Sequence, residues 1–179
     1  MHLFKHFVTI THHRHLVIKT CFKIGIGLQG LRHDLSKYSP VEFFEGAKYF
    51  EGDKSPTEKA RRNNGYSKAW MHHKGRNKHH FEYWTDINPN TRRYEPVIMP
   101  IRYVKEMFAD RIAASKTYLK KEYNDHSPLD YYNNHLARDK MHPHTADLLE
   151  EWLKMLASKG EKETFKYIKK NYKNKIKDY

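Results

Sequence analysis

The sequence has very little cysteine and no long apolar run. Cys21 is the single cysteine in 179 residues, which excludes a disulfide framework or a zinc finger and fits a reducing compartment. No apolar stretch approaches the roughly 18 residues that a membrane-spanning helix needs. The first ten residues lack an apolar core and a small-residue cleavage site, so no signal peptide is predicted. We therefore expect a soluble, cytoplasmic protein without a membrane span.

Acidic residues are scarce relative to basic ones. The chain has 34 Lys and Arg against 21 Asp and Glu, which gives a formal net charge of +13. Residues 159–179 form a basic tail with eight lysines and three acids; the tail accounts for +5 of the +13 and leaves +8 on the rest. Basic charge spread through the whole chain favours an anionic partner, such as a phosphoester, a nucleotide or a nucleic acid. Plain solubility is the alternative explanation.

Apolar residues recur at helical spacing, and no convincing alternating strand is present. A first helix is predicted over residues 3–24 from an apolar face that holds Leu3, Phe7, Ile10, His13, Val17, Cys21 and Ile24. Further helices are predicted over residues 40–50, over residues 67–84 with a weak point at Gly75, over residues 100–121, after Pro128, and over residues 145–157. Residues 51–64 are predicted to be a loop or a short helix, and residues 86–99 a surface loop.

These elements predict an all-α fold with one helical domain. We expect residues 1–125 to form the helical core. Residues 126–179 are expected to form a helical extension that ends in the basic tail.

The positions of the histidines are more informative than their number, which is 14. His13 lies on the apolar face of the first helix, although a lone inward histidine is more often a core residue than a ligand. His33 and Asp34 are adjacent in the stretch LRHDLSK. An imidazole and a carboxylate at one point suit a divalent transition metal, and a surface His-Asp dipeptide is the alternative.

Asp110 is an aspartate at a core position of the helix predicted over residues 100–121. Its face of that helix also holds Tyr103, Met107, Ala114 and Tyr118. A buried carboxylate is costly unless it is paired or binds a metal ion. An inward histidine, a His-Asp pair and an inward aspartate therefore converge on the prediction of a metal site.

The order of these residues along the chain resembles the HD-domain superfamily of metal-dependent phosphohydrolases. LRHDLSK is similar to the His-Asp signature of that superfamily, and FADRIAASK to the helix that supplies its last aspartate. The whole chain is also similar to a bacterial and phage family of unknown function with the same HD-like core. That similarity covers most of residues 6–120, through the blocks TITHHRHLV, GLRHDLSKYSPVEF, GYSKAWMHHKGRNKHHFEYW and MPIRYVKEMFADRIAASKTY.

The HD resemblance implies a primary metal site and one substrate contact. The implied metal ligands are His13, His33, Asp34 and Asp110, with Asp34 bridging to a second metal if one is bound. The interval between His13 and His33 is shorter than is usual in the superfamily, so the identity of the N-terminal histidine ligand stays open here. The resemblance also implies that Lys37 neutralises a substrate phosphate, and a solvated surface lysine is the alternative.

Residues 72–82 form the richest polar cluster of the chain. On an unbroken helix His73 and His80 would share a face, and histidines at that spacing can reach one cation. HD proteins with two metals take further histidines from this region, so we expect His73 and His80 to be second-site ligands or substrate contacts. His79 is the alternate, because Gly75 can break the helical phase. An anion-binding surface formed with Lys74, Arg76 and Lys78 is the other interpretation.

These features predict a metal-dependent phosphohydrolase that acts on a nucleotide or another phosphoester, with metal-activated water as the nucleophile. Asp34 or a histidine of the cluster in residues 72–82, where His80 is the catalytic candidate, would accept and donate the proton. Lys37 and Arg76 would balance charge on the phosphoryl oxygens. One divalent ion is expected and a second is compatible, and the ligand types admit Mn, Fe, Co, Ni, Mg or Zn. Two alternatives stay open: an HD-type di-iron oxygenase of a small molecule, and a basic nucleic-acid-binding accessory protein with a structural metal.

Overall fold

The structure, a computed structural model, describes residues 1–135 and 137–172 and is built mainly from helices. In this part of the chain the helices are α1 (Leu3–Lys23), α2 (Gly27–Gly30), α3 (Pro40–Lys48), α4 (Pro56–Asn64), α5 (Lys68–Lys74), α6 (Ile101–Leu119), α7 (Ser127–Asn134) and α8 (Pro143–Asn171). Short 3₁₀ helices span Leu35–Tyr38, Phe81–Tyr83, Lys120–Glu122 and Arg138–Lys140. The predicted all-α class is confirmed. None of the described helices is both long and apolar enough to cross a membrane.

The core lies where α1, α6 and α8 pack together. Each helix contributes fully buried apolar side chains at helical spacing, for example Val17 from α1, Phe108 from α6 and Trp152 from α8. The rings of Phe108 and Trp152 meet edge to face, with their centroids 5.9 Å apart. Burial of each such side chain contributes about 1.5–3 kcal/mol. This packing holds α1 beside α6, and so brings His13 close to Asp110.

The first turns of α1 pack on a different helix from its later turns. His6 is buried between α1 and α3, with its ring centroid 5.4 Å from that of Phe43. Gly46 of α3 permits this close approach, since a Cβ atom there would lie 2.4 Å from Nε2 of His6. His6, and not the predicted apolar face, is the side of the first turns that packs on α3. Leu3 and Phe7, which belong to the predicted face, are 41% and 45% exposed. The predicted apolar face of α1 is buried only from Ile10 onward.

The helix predicted over residues 67–84 is wrong beyond Lys74. The structure ends α5 at that residue, with Gly75 at its C-terminus, and a turn follows before the 3₁₀ helix Phe81–Tyr83. Glycine weakens a helix interior, and the Asn77 side chain donates a hydrogen bond of 2.8 Å to the His73 carbonyl oxygen. The chain therefore turns back just before His79 and His80.

A small hairpin replaces part of the predicted surface loop. Strands β1 (Thr85–Ile87) and β2 (Tyr94–Pro96) pair antiparallel, with Thr85 opposite Pro96. Both strands are short and largely exposed, so they carry no apolar alternation that the sequence could reveal. For residues 51–64 the sequence left open a loop or a short helix, and the structure shows both: residues 51–55 are a loop and residues 56–64 form α4.

The C-terminal part of α8 packs on the core. Gly160 has φ 74° and ψ 174°, so α8 consists of two helical segments that meet there. Phe165 and Ile168 are buried in the core cluster, on the inner face of the second segment. The described part of the predicted basic tail is thus an amphipathic helix docked on the protein. Residues 173–179 of the tail lie outside the described residues.

Candidate metal centre

The His-Asp pair is held by the turn that leaves α2. Gly30 lets α2 lie against α1, because a Cβ atom at Gly30 would be 2.5 Å from the Cβ atom of Cys21. Asp34 adopts a left-handed backbone conformation with φ 54°, which aspartate tolerates better than most residues. His33 and Asp34 are each 1% exposed. The turn therefore places both side chains inside the protein, beside α1 and α6.

One group of potential metal ligands consists of His13, His33, Asp34 and Asp110. Their donor atoms all lie within 4.8 Å of one another. Nε2 of His13 is 2.9 Å from Oδ1 of Asp110, and Nε2 of His33 is 3.2 Å from Oδ2 of Asp34. The structure therefore brings together all four residues that the HD resemblance implies, and His13 is the histidine of α1 that joins them.

A second group shares Asp34 and adds His73, His79 and His80. Nε2 of His73 and Nε2 of His79 lie 3.3 Å and 3.4 Å from Oδ1 of Asp34. Because α5 ends before Gly75, His79 and His80 both reach the group, whereas a continuous helix would have separated them. Asp34 thus presents Oδ2 to the first group and Oδ1 to the second.

Four buried imidazole nitrogens in these groups lack a well-aligned hydrogen-bond partner. In the described part of the chain they are Nε2 of His13, His33, His79 and His80, although in the first three Nε2 lies 2.9–3.4 Å from an oxygen of Asp34 or Asp110. Poor hydrogen-bond geometry at buried polar atoms costs free energy, so this arrangement requires a physical reason. A cation bound by these atoms supplies one. Imidazole nitrogens mixed with carboxylate oxygens suit divalent first-row transition metals, and the residues present fit such an ion.

Two glutamates contact the Nδ1 atoms of the histidines, on the ring side opposite the potential metal ligand atom Nε2. Oε1 of Glu106 is 2.9 Å from Nδ1 of His33 and 3.2 Å from Nδ1 of His79. Oε2 of Glu42 is 2.7 Å from Nδ1 of His73. An imidazole that donates its Nδ1 proton to a carboxylate keeps the Nε2 lone pair for a metal.

Neither Glu42 nor Glu106 was among the site residues predicted from the sequence. Glu106 lies one helical turn before Asp110 on α6, and that spacing was the available signal. Glu42 carries no comparable signal, because no predicted site residue shares α3 with it.

The carboxylates of the centre are ionised at neutral pH. Burial opposes this, but His33, Lys37 and His73 hold the pKa of Asp34 well below its usual range. The pKa of Asp110 is likewise held well below its usual range, against burial, by His13 and His33. Ionised carboxylates are the form that binds a metal.

The histidines of the centre differ in protonation. Burial lowers the pKa of His13, and burial together with His79 and His73 lowers that of His80 well below its usual value. These two imidazoles are therefore neutral. Burial would also lower the pKa of His33, but the Asp34, Asp110 and Glu106 carboxylates raise it well above the usual value. Metal binding must therefore displace a proton from His33.

The three predicted catalytic side chains occupy different places. Nζ of Lys37 is 2.6 Å from Oδ2 of Asp34, and its side chain is 30% exposed, so it lies at the edge of the centre. His80 belongs to the second ligand group. Arg76 donates a hydrogen bond to the His72 carbonyl oxygen and lines a neighbouring pocket, which reaches the centre only at His79 and Glu106.

A family model matches residues 2–155, which include every residue of both ligand groups. The chain belongs to DUF5662, a family of unknown function. A comparison with curated proteins and a comparison with solved structures each found no match. Membership of DUF5662 confirms the predicted similarity to a family of unknown function.

In this DUF5662 chain, we expect Glu106→Gln to weaken metal binding about 10-fold to 100-fold, the range seen when a partner of a metal-bound histidine is lost. The reason is that one carboxylate orients His33 and His79 together. Titration of the metal-free protein against a competing chelator measures the affinity. The matched control is Glu163→Gln, which removes the same charge from an exposed position. Equal affinities for the two variants would show that Glu106 has no part in metal binding.

Proposed function

We propose that this protein is a metal-dependent phosphohydrolase with an HD-like helical core. The proposal rests mainly on the Asp34 carboxylate, which the two ligand groups share. Its Oδ2 atom lies beside the first group and its Oδ1 atom beside the second. The order His13, His33-Asp34, Asp110 along the chain also resembles that superfamily. Each group would hold one divalent ion, and Asp34 would be the ligand common to both.

A phosphoester or nucleotide is the proposed substrate class. The chain carries a net charge of +13, and Lys37 places an ammonium group directly beside Asp34. Lys37 is partly exposed, so its ammonium group can contact a phosphoryl oxygen without leaving the centre. Fixed positive charge near an oxygen that gains negative charge lowers the barrier to phosphoryl transfer.

The proposed roles of the side chains follow from their charge states. Divalent ions, when bound, polarise a phosphoryl oxygen and lower the pKa of water towards 7. Asp34 and Asp110 supply the negative charge that holds the ions. His80 is neutral, and its buried Nε2 has no hydrogen-bond partner among the described residues. This nitrogen can therefore accept a proton if it does not bind an ion. Lys37 balances the charge that grows on the phosphoryl oxygens.

We expect Lys37→Met to reduce turnover about 100-fold to 1000-fold at saturating metal, as loss of one charge-assisted transition-state contact does. Metal content should stay close to that of the wild-type protein, since Lys37 is not a ligand. The assay is a panel of nucleotides and phosphoesters with added Mn, Fe, Co, Ni, Zn or Mg, with elemental analysis of each sample. Lys166→Met, at an exposed position, is the matched control.

The same panel decides against the proposal if fully loaded wild-type protein turns over no phosphoester. An iron-loaded, coloured protein that consumes dioxygen would then favour the di-iron oxygenase. Binding of nucleic acid that weakens steeply with salt, with no turnover, would favour an accessory protein whose metal is structural.

A further inference from the structure

A basic pocket of about 470 Å³ lies beside the metal centre. Its wall includes four cationic side chains, from Arg32, Arg76, Lys78 and Arg102. The pocket reaches the centre only through His79 and Glu106, and its lining contains no other ligand-group residue. Nε2 of His79 faces Asp34 while Nδ1 faces Glu106, so the pocket lies on the Glu106 side of the His79 ring.

The four cations have no carboxylate partner within residues 1–135 and 137–172. Arg76 donates only to a backbone carbonyl oxygen, from His72. Arg102 and Lys78 lie over the Tyr103 ring, 4.8 Å and 6.0 Å from its centroid. Like charges that converge on a concave surface without counter-charges repel one another and attract anions.

Glu106 is the acidic residue in the pocket wall, and both of its carboxylate oxygens already have partners. Oε1 of Glu106 contacts His33 and His79, and Oε2 accepts a hydrogen bond of 2.5 Å from the Gln29 side chain. Glu106 forms no ion pair with the four cations, and its single negative charge can offset only part of their total charge. The remaining charge is available to a ligand.

We propose that this pocket binds a compact anion that carries two or more phosphate groups, separately from the metal centre. Three guanidinium groups and one ammonium group match several phosphate oxygens, and guanidinium groups bind phosphate in a bidentate manner. The pocket volume lies in the range typical of small-molecule sites, about 300–1,000 Å³. An inorganic polyphosphate and the phosphate chain of a nucleotide share this chemistry.

Titration of the chelator-treated, metal-free protein with tripolyphosphate tests the site by calorimetry. We expect binding at one site, and we expect Arg102→Gln and Arg32→Gln each to weaken it at least about 10-fold, as loss of a charge-assisted contact does. Both arginines are exposed, so the variants should fold, which thermal unfolding checks. Arg93→Gln removes the same charge from the exposed hairpin turn and should leave the affinity within about twofold.

Two further arms decide the location and the ligand. Lys37→Met should bind tripolyphosphate as the wild type does; loss of binding there, or equal losses in Arg93→Gln and Arg102→Gln, would overturn the proposal. ATP in place of tripolyphosphate shows whether a nucleoside improves affinity, which would identify a nucleotide site. Binding of a single-stranded oligonucleotide but not of either small anion would also overturn the proposal. Because no metal and no turnover are involved, the result is independent of the proposed hydrolysis.

Discussion

Asp34→Asn should abolish metal binding in both ligand groups at once. The asparagine keeps the size of the side chain but removes the negative charge that the two groups share through Oδ1 and Oδ2. Loss of a direct anionic ligand should exceed the 10-fold to 100-fold effect of losing an orienting partner, so we expect affinity to fall by more than about 100-fold. Elemental analysis after dialysis measures the bound metal.

The control for this variant is Asp53→Asn, an equal charge change at an exposed position. It should retain all of the metal. If Asp34→Asn also retains full occupancy, Asp34 is not a ligand and the shared-carboxylate arrangement is wrong. Circular dichroism confirms that both variants keep their helices, which separates ligand loss from unfolding.

The second large effect is a split between the two ligand groups. His73→Ala should remove the ion of the second group and leave the first, because His73 contacts Asp34 only through Oδ1. Asp110→Asn should do the opposite, since Asp110 belongs to the first group alone. Elemental analysis should therefore give about half of the wild-type metal content for each single variant, and close to none for the double variant.

Spectroscopy of cobalt-loaded single variants identifies which site remains. The first group contains two imidazoles and the second contains three, so the two remaining sites should give different visible spectra. Identical spectra, or complete metal loss in either single variant, would contradict the assignment of separate groups.

The first ligand group could be predicted because its residues sit on regular helices or in a short motif. His13 and Asp110 occupy core positions on the helical faces of α1 and α6, where polar residues are conspicuous. His33 and Asp34 are adjacent, and their order relative to the other residues resembles the HD pattern. Packing of α1 against α6 then brings the four residues into one cluster.

The second ligand group and the Glu42 contact depend on residues that are distant in sequence or on a turn of the chain. His79 and His80 both reach Asp34 only because the chain turns after Gly75, and a helical pattern places the two imidazoles on different faces. Glu42 meets His73 across 31 residues. Helical periodicity contains no information about such a pair, so it becomes visible only when α3 and α5 are packed together.

Anomalous diffraction from crystals loaded with Mn²⁺ shows whether Asp34 is shared by two metal ions, because it locates the ions themselves. We expect anomalous peaks on both sides of the Asp34 carboxylate, one in contact with Nε2 of His33 and one in contact with Nε2 of His79. Loaded crystals in which no anomalous peak contacts Asp34 would contradict this expectation.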